Sequence, residues 1–313
     1  MSRNISASKR GFGYDYEAQS LGLYVDGVMV ESFSANFNKN YYVDKATGSD
    51  SNDGRSWASA FATYQAGVTA ATAAANVYIN VDLYIGPAEY DEQVVVSETA
   101  QGASALGYAI GTLRIIHMTP FVILKNSTLD SSYTLKVERS KVEIHGGLFR
   151  NYTNAGTFSA VCFERLTSGG TVLSGLMRGC RVEGRSSAEI GVDLSASYKV
   201  TVEDCVIQGF TTGMLLAGNS LGNLVDTVVR RCLFTGNTND IEVGASSFTL
   251  LDNNLHYDDA TTKFVTDSTY TGRQGTIADL VMYQGMVNGS DLTDCDATNI
   301  AHFGVTTTDA VEW

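Results

Sequence analysis

Three kinds of residue in this 313-residue chain are spaced so as to invite a chemical role. Carboxylates come first: Asp193, Glu203, Asp204, Asp226 and Glu242 recur through the second half, and glycoside hydrolysis needs two carboxyls about 5–5.5 Å or 6.5–9.5 Å apart. Asp193, Asp204 and Glu242 are the catalytic candidates, with Asp204 and Glu242 the pair considered for that spacing. No role is assigned to them, because 34 residues are acidic and chance pairs on one face are expected. Second, Asp50, Asn52 and Asp53 in SDSNDG set oxygen ligands ahead of a glycine, as a calcium loop does. Position 12 counted from Asp50 is Phe61 rather than glutamate, so an Asx-rich turn before a helix is the plainer reading. Calcium is the one cofactor considered. Third, Cys162, Cys180, Cys205, Cys232 and Cys295 are odd in number and lack CxxC spacing, which argues against a disulfide framework and against zinc. His117, His145, His256 and His302 are scattered, and no Gly-rich phosphate loop follows a strand and opens a helix.

The cysteines mark a repeat instead. GCRVEG (179–184), EDCVIQG (203–209) and RCLFTG (231–236) each place a cysteine four residues before a glycine, and Cys180, Cys205, Cys232 and Asn254 follow one another at 25, 27 and 22 residues. Met177, Val202, Val229 and Leu251 stand three residues before this position; Val182, Ile207, Phe234 and His256 stand two after it. A second column runs through AVCF (160–163), GVDL (191–194), GMLL (213–216) and DIEV (240–243), apolar at its outer positions. Alternation of this kind marks a strand with one buried face. Units of 22 to 31 residues hold two or three such strands and no crossover helix, so each buries its apolar face only by stacking on the next. That is the logic of a parallel β-helix, and the leucine-rich alternative lacks its LxxLxL frame. The spacing predicts Cys180, Cys205 and Cys232 as an inward ladder, one rung of about 4.8 Å apart. Two residues before the cysteine, Arg178, Glu203, Arg230 and Asp252 alternate in sign, which helps to fix register on a solvated face.

Composition agrees with an all-β chain: 44% hydrophobic, 18% charged, 31 Gly and 2 Pro. A net charge of −13 speaks against a nucleic-acid partner. No run reaches the roughly 18 apolar residues of a membrane span, and the first twenty residues carry no signal-type apolar core.

Residues 1–40 stand apart as an attachment segment, with a β-hairpin expected at Asp26-Gly27 between two alternating runs. Residues 41–258 read as the solenoid, with a helix near 62–75 and strands at 77–85, 92–97, 112–118, 121–126 and 134–146. Loop 98–111 would project, and 259–313, where the period is lost, reads as a C-terminal cap or oligomer contact. YYVDKATGSDSNDGRSWASAFATYQAGVTAA (41–71) resembles the entry segment of right-handed parallel β-helix proteins of the pectate-lyase-like superfold. That resemblance implies a capping helix whose Tyr64, Val68 and Ala71 pack on the first coil. The superfold hosts lyases, hydrolases, phage tailspikes and adhesins, so it carries function poorly. The lyase subgroup's basic cluster has no counterpart, since Lys199, Arg165 and Arg185 lie on turns without a motif. A β-helix without an export signal points to a virion component made in the host cytoplasm. The expectation is a non-enzymatic phage spike or decoration resembling tailspikes: a homotrimer, docked on other virion proteins through residues 1–40, with an outer face suited to host-surface polysaccharide. Alternatives are a polysaccharide depolymerase or lyase, and a secreted adhesin.

Overall fold

The computed structural model describes residues 10–15, 20–25, 28–33, 38–75, 80–97, 111–127, 133–139, 141–151, 158–164, 174–184, 190–197, 199–216, 224–243, 247–252, 254–257, 262–266, 280–283 and 286–287. The chain winds as a right-handed parallel β-helix whose coils contribute in turn to three parallel sheets. Among the described residues, sheet 1 has nine strands, from Asn38–Val43 to Leu280–Tyr283; sheet 2 has eight, from Glu89–Asp91 to Met286–Val287; sheet 3 has seven, from Val94–Val96 to Thr262–Thr266.

The columns read from the repeat are the observed ladders. Met177 pairs with Val202 and Val202 with Val229 on sheet 1; Val182, Ile207 and Phe234 are in register on sheet 2; Val161, Val192, Met214 and Ile241 are in register on sheet 3. All ten side chains are fully buried, because three inward-facing stripes meet on one axis. Between sheets 1 and 2, four successive coils turn by a two-residue bend, at 146–147, 179–180, 204–205 and 231–232, after longer connections at 86–88 and 118–122. Lys141, Lys199, Asp204 and Arg231 adopt positive φ at the ends of or just ahead of sheet 1 strands, where a side chain costs more than glycine does.

Helix α1 (Tyr64–Ala75) lies over the N-terminal end of the stack with Tyr64, Val68 and Ala71 at 0% exposure. Its free N–H groups are all met: Asp50 Oδ1 accepts from Ala62 N and Thr63 N (both 2.9 Å), Glu92 accepts from Tyr64 N and Gln65 N (both 3.0 Å), and Thr63 Oγ1 accepts from Ala66 N.

Several boundaries differ from the sequence reading. The first solenoid strand begins at Asn38, ahead of residue 41. The run 134–146 is two strands on different sheets, Tyr133–Val137 and Val142–His145, because the backbone turns a corner at Lys141 (φ 56°). Past Asp258 the winding continues: Thr262–Thr266, Leu280–Tyr283 and Met286–Val287 pair in register with the coil before them. The Cys and Gly markers stop at Asn254 and Asp258, but apolar alternation alone is enough to add a rung. Strands Ser20–Val25 and Val28–Phe33 pair antiparallel with Val25 opposite Val28, leaving Asp26-Gly27 between them, and Arg10–Asp15 adds a third strand. Loop 98–110 and residues 288–313 lie outside the described residues.

Candidate functional site

Asp193 and Glu242 lie on the outer face of sheet 3, in Ile190–Ala196 and Asn239–Val243. The register Asp193–Leu215–Glu242 puts two rungs, roughly 9.6 Å of backbone, between them. The carboxylates are therefore separated by Leu215. Each is engaged from a neighbouring strand, Asp193 by Ser159 Oγ (3.3 Å) and Glu242 by Thr212 Oγ1 (3.2 Å). Beside Asp193, the Cys162 thiol is pushed up by burial and then by the Asp193 charge, which keeps it protonated and unreactive. Lys136 is clamped by Glu138 (2.6 Å) and Glu164 (2.7 Å); burial opposes its charge, but these two contacts prevail and raise its pKa.

Asp204 belongs elsewhere. It occupies the bend between Val200–Glu203 and Val206–Gln208, at the junction of sheets 1 and 2, so the considered pairing with Glu242 on sheet 3 joins two different faces and forms no site. Arg231 donates to both Asp204 oxygens (2.7 and 3.0 Å), and this contact first, then the Arg231 and Arg178 charges, holds the carboxyl below the usual range. A general acid needs the opposite shift.

The alternating column is in register as read, Arg178 beside Glu203 beside Arg230, with its arginines at the surface and its carboxylate enclosed. Glu203 is 4% exposed beneath Arg178 (3.4 Å), Arg230 (2.6 Å) and Arg231 (3.3 Å). Glu203→Ala would leave three guanidinium groups facing one another, and breaking a buried ion pair costs about 3–5 kcal/mol. The arginine side chains are 41–54% exposed, so water recovers part of that, and we expect a loss of about 1–3 kcal/mol in denaturant unfolding. Glu203→Gln should lose less, since its amide oxygen still accepts.

The residues considered for calcium serve the loop ahead of α1. Asp50 caps the helix, Asn52 Nδ2 donates to Ala60 O (2.9 Å), and Asp53 Oδ1 accepts from Arg55 N (3.0 Å) and Ser59 Oγ (2.7 Å). The Arg55 amide, followed by the Ser59 hydroxyl, holds the Asp53 carboxyl below its ordinary range. Their polar atoms thus meet donors and acceptors of different residues, which is turn and cap chemistry. Among the described residues, no three His, Cys, Asp or Glu side chains converge as a metal site.

Cys180, Cys205 and Cys232 are buried at 2%, 1% and 1% exposure, at the same bend on successive coils. Their thiols donate to the carbonyls of Gly146 (3.1 Å), Glu203 (3.2 Å) and Arg230 (3.4 Å). Cys205 and Cys232 are pushed up first by the adjacent thiol and then by burial, so these two stay protonated. Asn254 stands next in the column, its Oδ1 accepting from Cys232 N and its Nδ2 donating to Val229 O (3.0 Å each). At the opposite end stands His117, 8% exposed, which the sequence did not single out. Its Nδ1 donates to His145 O (3.0 Å), and because a neutral ring carries one proton, Nε2 accepts from the Tyr64 hydroxyl (3.0 Å). Gly147 (φ +85°) makes room, since a Cβ there would lie 2.7 Å from the imidazole.

No family model and no curated protein matches the sequence. Solved structures do match. The pectin methylesterase from Aspergillus niger superposes with a TM-score of 0.52 at 13% identity, over 81% of this chain and 87% of that one. The Escherichia coli protein ybhc gives 0.51 at 12% identity, over 85% and 75%. At such identity the likeness is one of fold, and the three parallel sheets on stacked inward columns agree with it: the chain is a right-handed parallel β-helix.

Proposed function

We propose that the chain is a non-enzymatic β-helical component of a bacteriophage particle, a tail or head spike or decoration. In this reading residues 1–40 dock on other virion proteins, three copies assemble, and the outer faces meet host-surface polysaccharide. The observation that carries it is the state of the candidate carboxylates. Asp204 is neutralised by arginine, Asp193 and Glu242 are held by hydroxyls with Leu215 between them, and Glu203 is buried under three arginines. Side chains spent on holding neighbouring coils together suit a shaft. The net charge of −13 suits a partner other than nucleic acid.

A second reading is a polysaccharide depolymerase or lyase, favoured by the similarity in fold to a pectin methylesterase. Incubation with a panel of bacterial capsular and lipopolysaccharide glycans separates the two. The spike reading predicts retention of one or more glycans on immobilised protein with no new reducing ends and no unsaturated uronate absorbance. Turnover of any glycan, abolished by Asp193→Asn or Glu242→Gln, would establish the enzyme.

A further inference from the structure

Helix α1 is a cap with no charge of its own. Its twelve residues, YQAGVTAATAAA, contain neither acid nor base, and an isolated helix of that length is marginal in water, so α1 depends on what fastens it to the coils. Three of those fastenings are titratable and come from three separate places in the chain. Asp50, in the loop ahead of the helix, accepts from Ala62 N and Thr63 N through Oδ1 and from the Thr63 hydroxyl through Oδ2 (2.9 Å each). Glu92, between the strands Glu89–Asp91 and Val94–Val96, accepts from Tyr64 N through Oε1 and from Gln65 N through Oε2 (3.0 Å each). His117, at the end of a sheet 1 strand, accepts from the Tyr64 hydroxyl through Nε2 while its Nδ1 donates to His145 O (3.0 Å each).

Each of these contacts needs the proton-free form. Both oxygens of each carboxylate serve as acceptors, so a proton on either one turns a donor toward a donor and breaks a bond. A proton on Nε2 makes the buried Tyr64 hydroxyl accept from the ring and leaves its own hydrogen unmet. The titratable groups that reach this junction are Tyr64 from α1, Tyr90 and Glu92 from the segment beside it, His145 from the next rung and Cys180 from the bend beyond. Burial raises both tyrosines, Tyr90 to about 12, so neither supplies a charge in the acid range. A proton on His145, which sits against Glu143 (3.2 Å), would oppose a second charge on His117. The coils are held differently. Their ladders are backbone bonds and apolar columns, and Asp204, which staples successive coils, is kept below the usual range by Arg231 and so stays charged further into acid.

We propose that α1 is an acid-released lid: protonation of Asp50, Glu92 and His117 frees it from the end of the stack while the coils stay wound. The bonds of Gln65 with Val95 N and O (2.7 and 3.2 Å) and of Gly111 N with Ala75 O (2.9 Å) do not titrate and set what the acid must overcome. What opens is an apolar surface. Gly67 brings the helix so close to Val43 that a Cβ would overlap it, and Val43 and Leu83 are fully buried there. Release uncovers both at the end of the solenoid that adjoins residues 1–37.

The test is amide hydrogen exchange of the full chain from pH 7 to pH 4, each rate referred to that of the unfolded chain at the same pH. Opening gains about tenfold per pH unit while the free ring binds a proton and the enclosed ring does not. At pH 4 the α1 amides should approach the unfolded rate, while the ladder amides of Val202, Ile207 and Met214 remain protected roughly a thousandfold or more. Glu92→Gln, whose side chain offers one acceptor oxygen in place of two, should lower α1 protection about tenfold already at pH 7 and leave the ladder unchanged. His117→Gln, which keeps a donor and an acceptor but takes up no proton, should move the release to lower pH; should it fail to fold, the Glu92→Gln result decides. Helix amides as protected as the ladder at pH 4, or α1 protection unmoved by these substitutions, would overturn the lid.

Discussion

Acidification from pH 7 to pH 4 is expected to remove about 3 kcal/mol of stability through His117 alone. Burial, the largest effect on this ring, pushes it down to about 4 from 6.5. An unfolded chain takes up the imidazole proton near pH 6.5, whereas the folded chain resists it until about pH 4. The stabilisation is therefore complete above pH 6.5 and is lost progressively as pH falls through the folded value, at 1.36 kcal/mol per pH unit between the two. Asp53 and Asp204, whose carboxyls are also lowered, add a loss of the same sign but only below the ordinary carboxylate range. The imidazole proton resonances followed by NMR isolate the contribution of His117. A midpoint near 4 is expected; a midpoint near 6.5 would mean that the ring is not enclosed between Tyr64 and the bend at Gly147.

The second large effect pairs two adjacent residues on one strand. Phe234, fully buried in the sheet 2 ladder, should cost about 3–5 kcal/mol when replaced by alanine, the loss of a ring plus the cavity it leaves. Leu233 points the other way and is half-buried, so Leu233→Ala should cost under about 1 kcal/mol. Denaturant unfolding of the two variants is a register test. Because side chains alternate along a strand, a slip by one residue would exchange the two values.

Much of this architecture was legible because stacked coils repeat side-chain types at fixed offsets. Cys180, Cys205 and Cys232 with their trailing glycines gave the register, and the apolar columns on either side followed from it. Legibility ended where the markers changed. Asn254 replaces the cysteine and satisfies the bend with its amide, so the last coils kept their winding while losing their signature. The short strand Glu89–Asp91 has too few residues to show alternation. Other long-range contacts were legible in part or not at all: Glu92 reaches 28 residues back to cap α1 with no local sign, and the Arg178–Glu203–Arg230 column showed in the repeat while the burial of Glu203 beneath its arginines did not. The carboxylate candidates suffered from the opposite limit. Residue type alone named them, but which sheet each occupies depends on whether it stands on a strand or at a bend. Asp204 differs from Glu242 in that respect and so faces another side of the molecule.

The central claim, that this β-helix is a subunit of an assembled spike rather than a free-standing catalyst, is tested most directly by the solution mass of the chain before and after removal of residues 1–37, which lie ahead of the first solenoid strand at Asn38. A multimer that survives the deletion is predicted, with the copies held together by the solenoid and the N-terminal segment free to dock. A single-chain mass in both forms would contradict it.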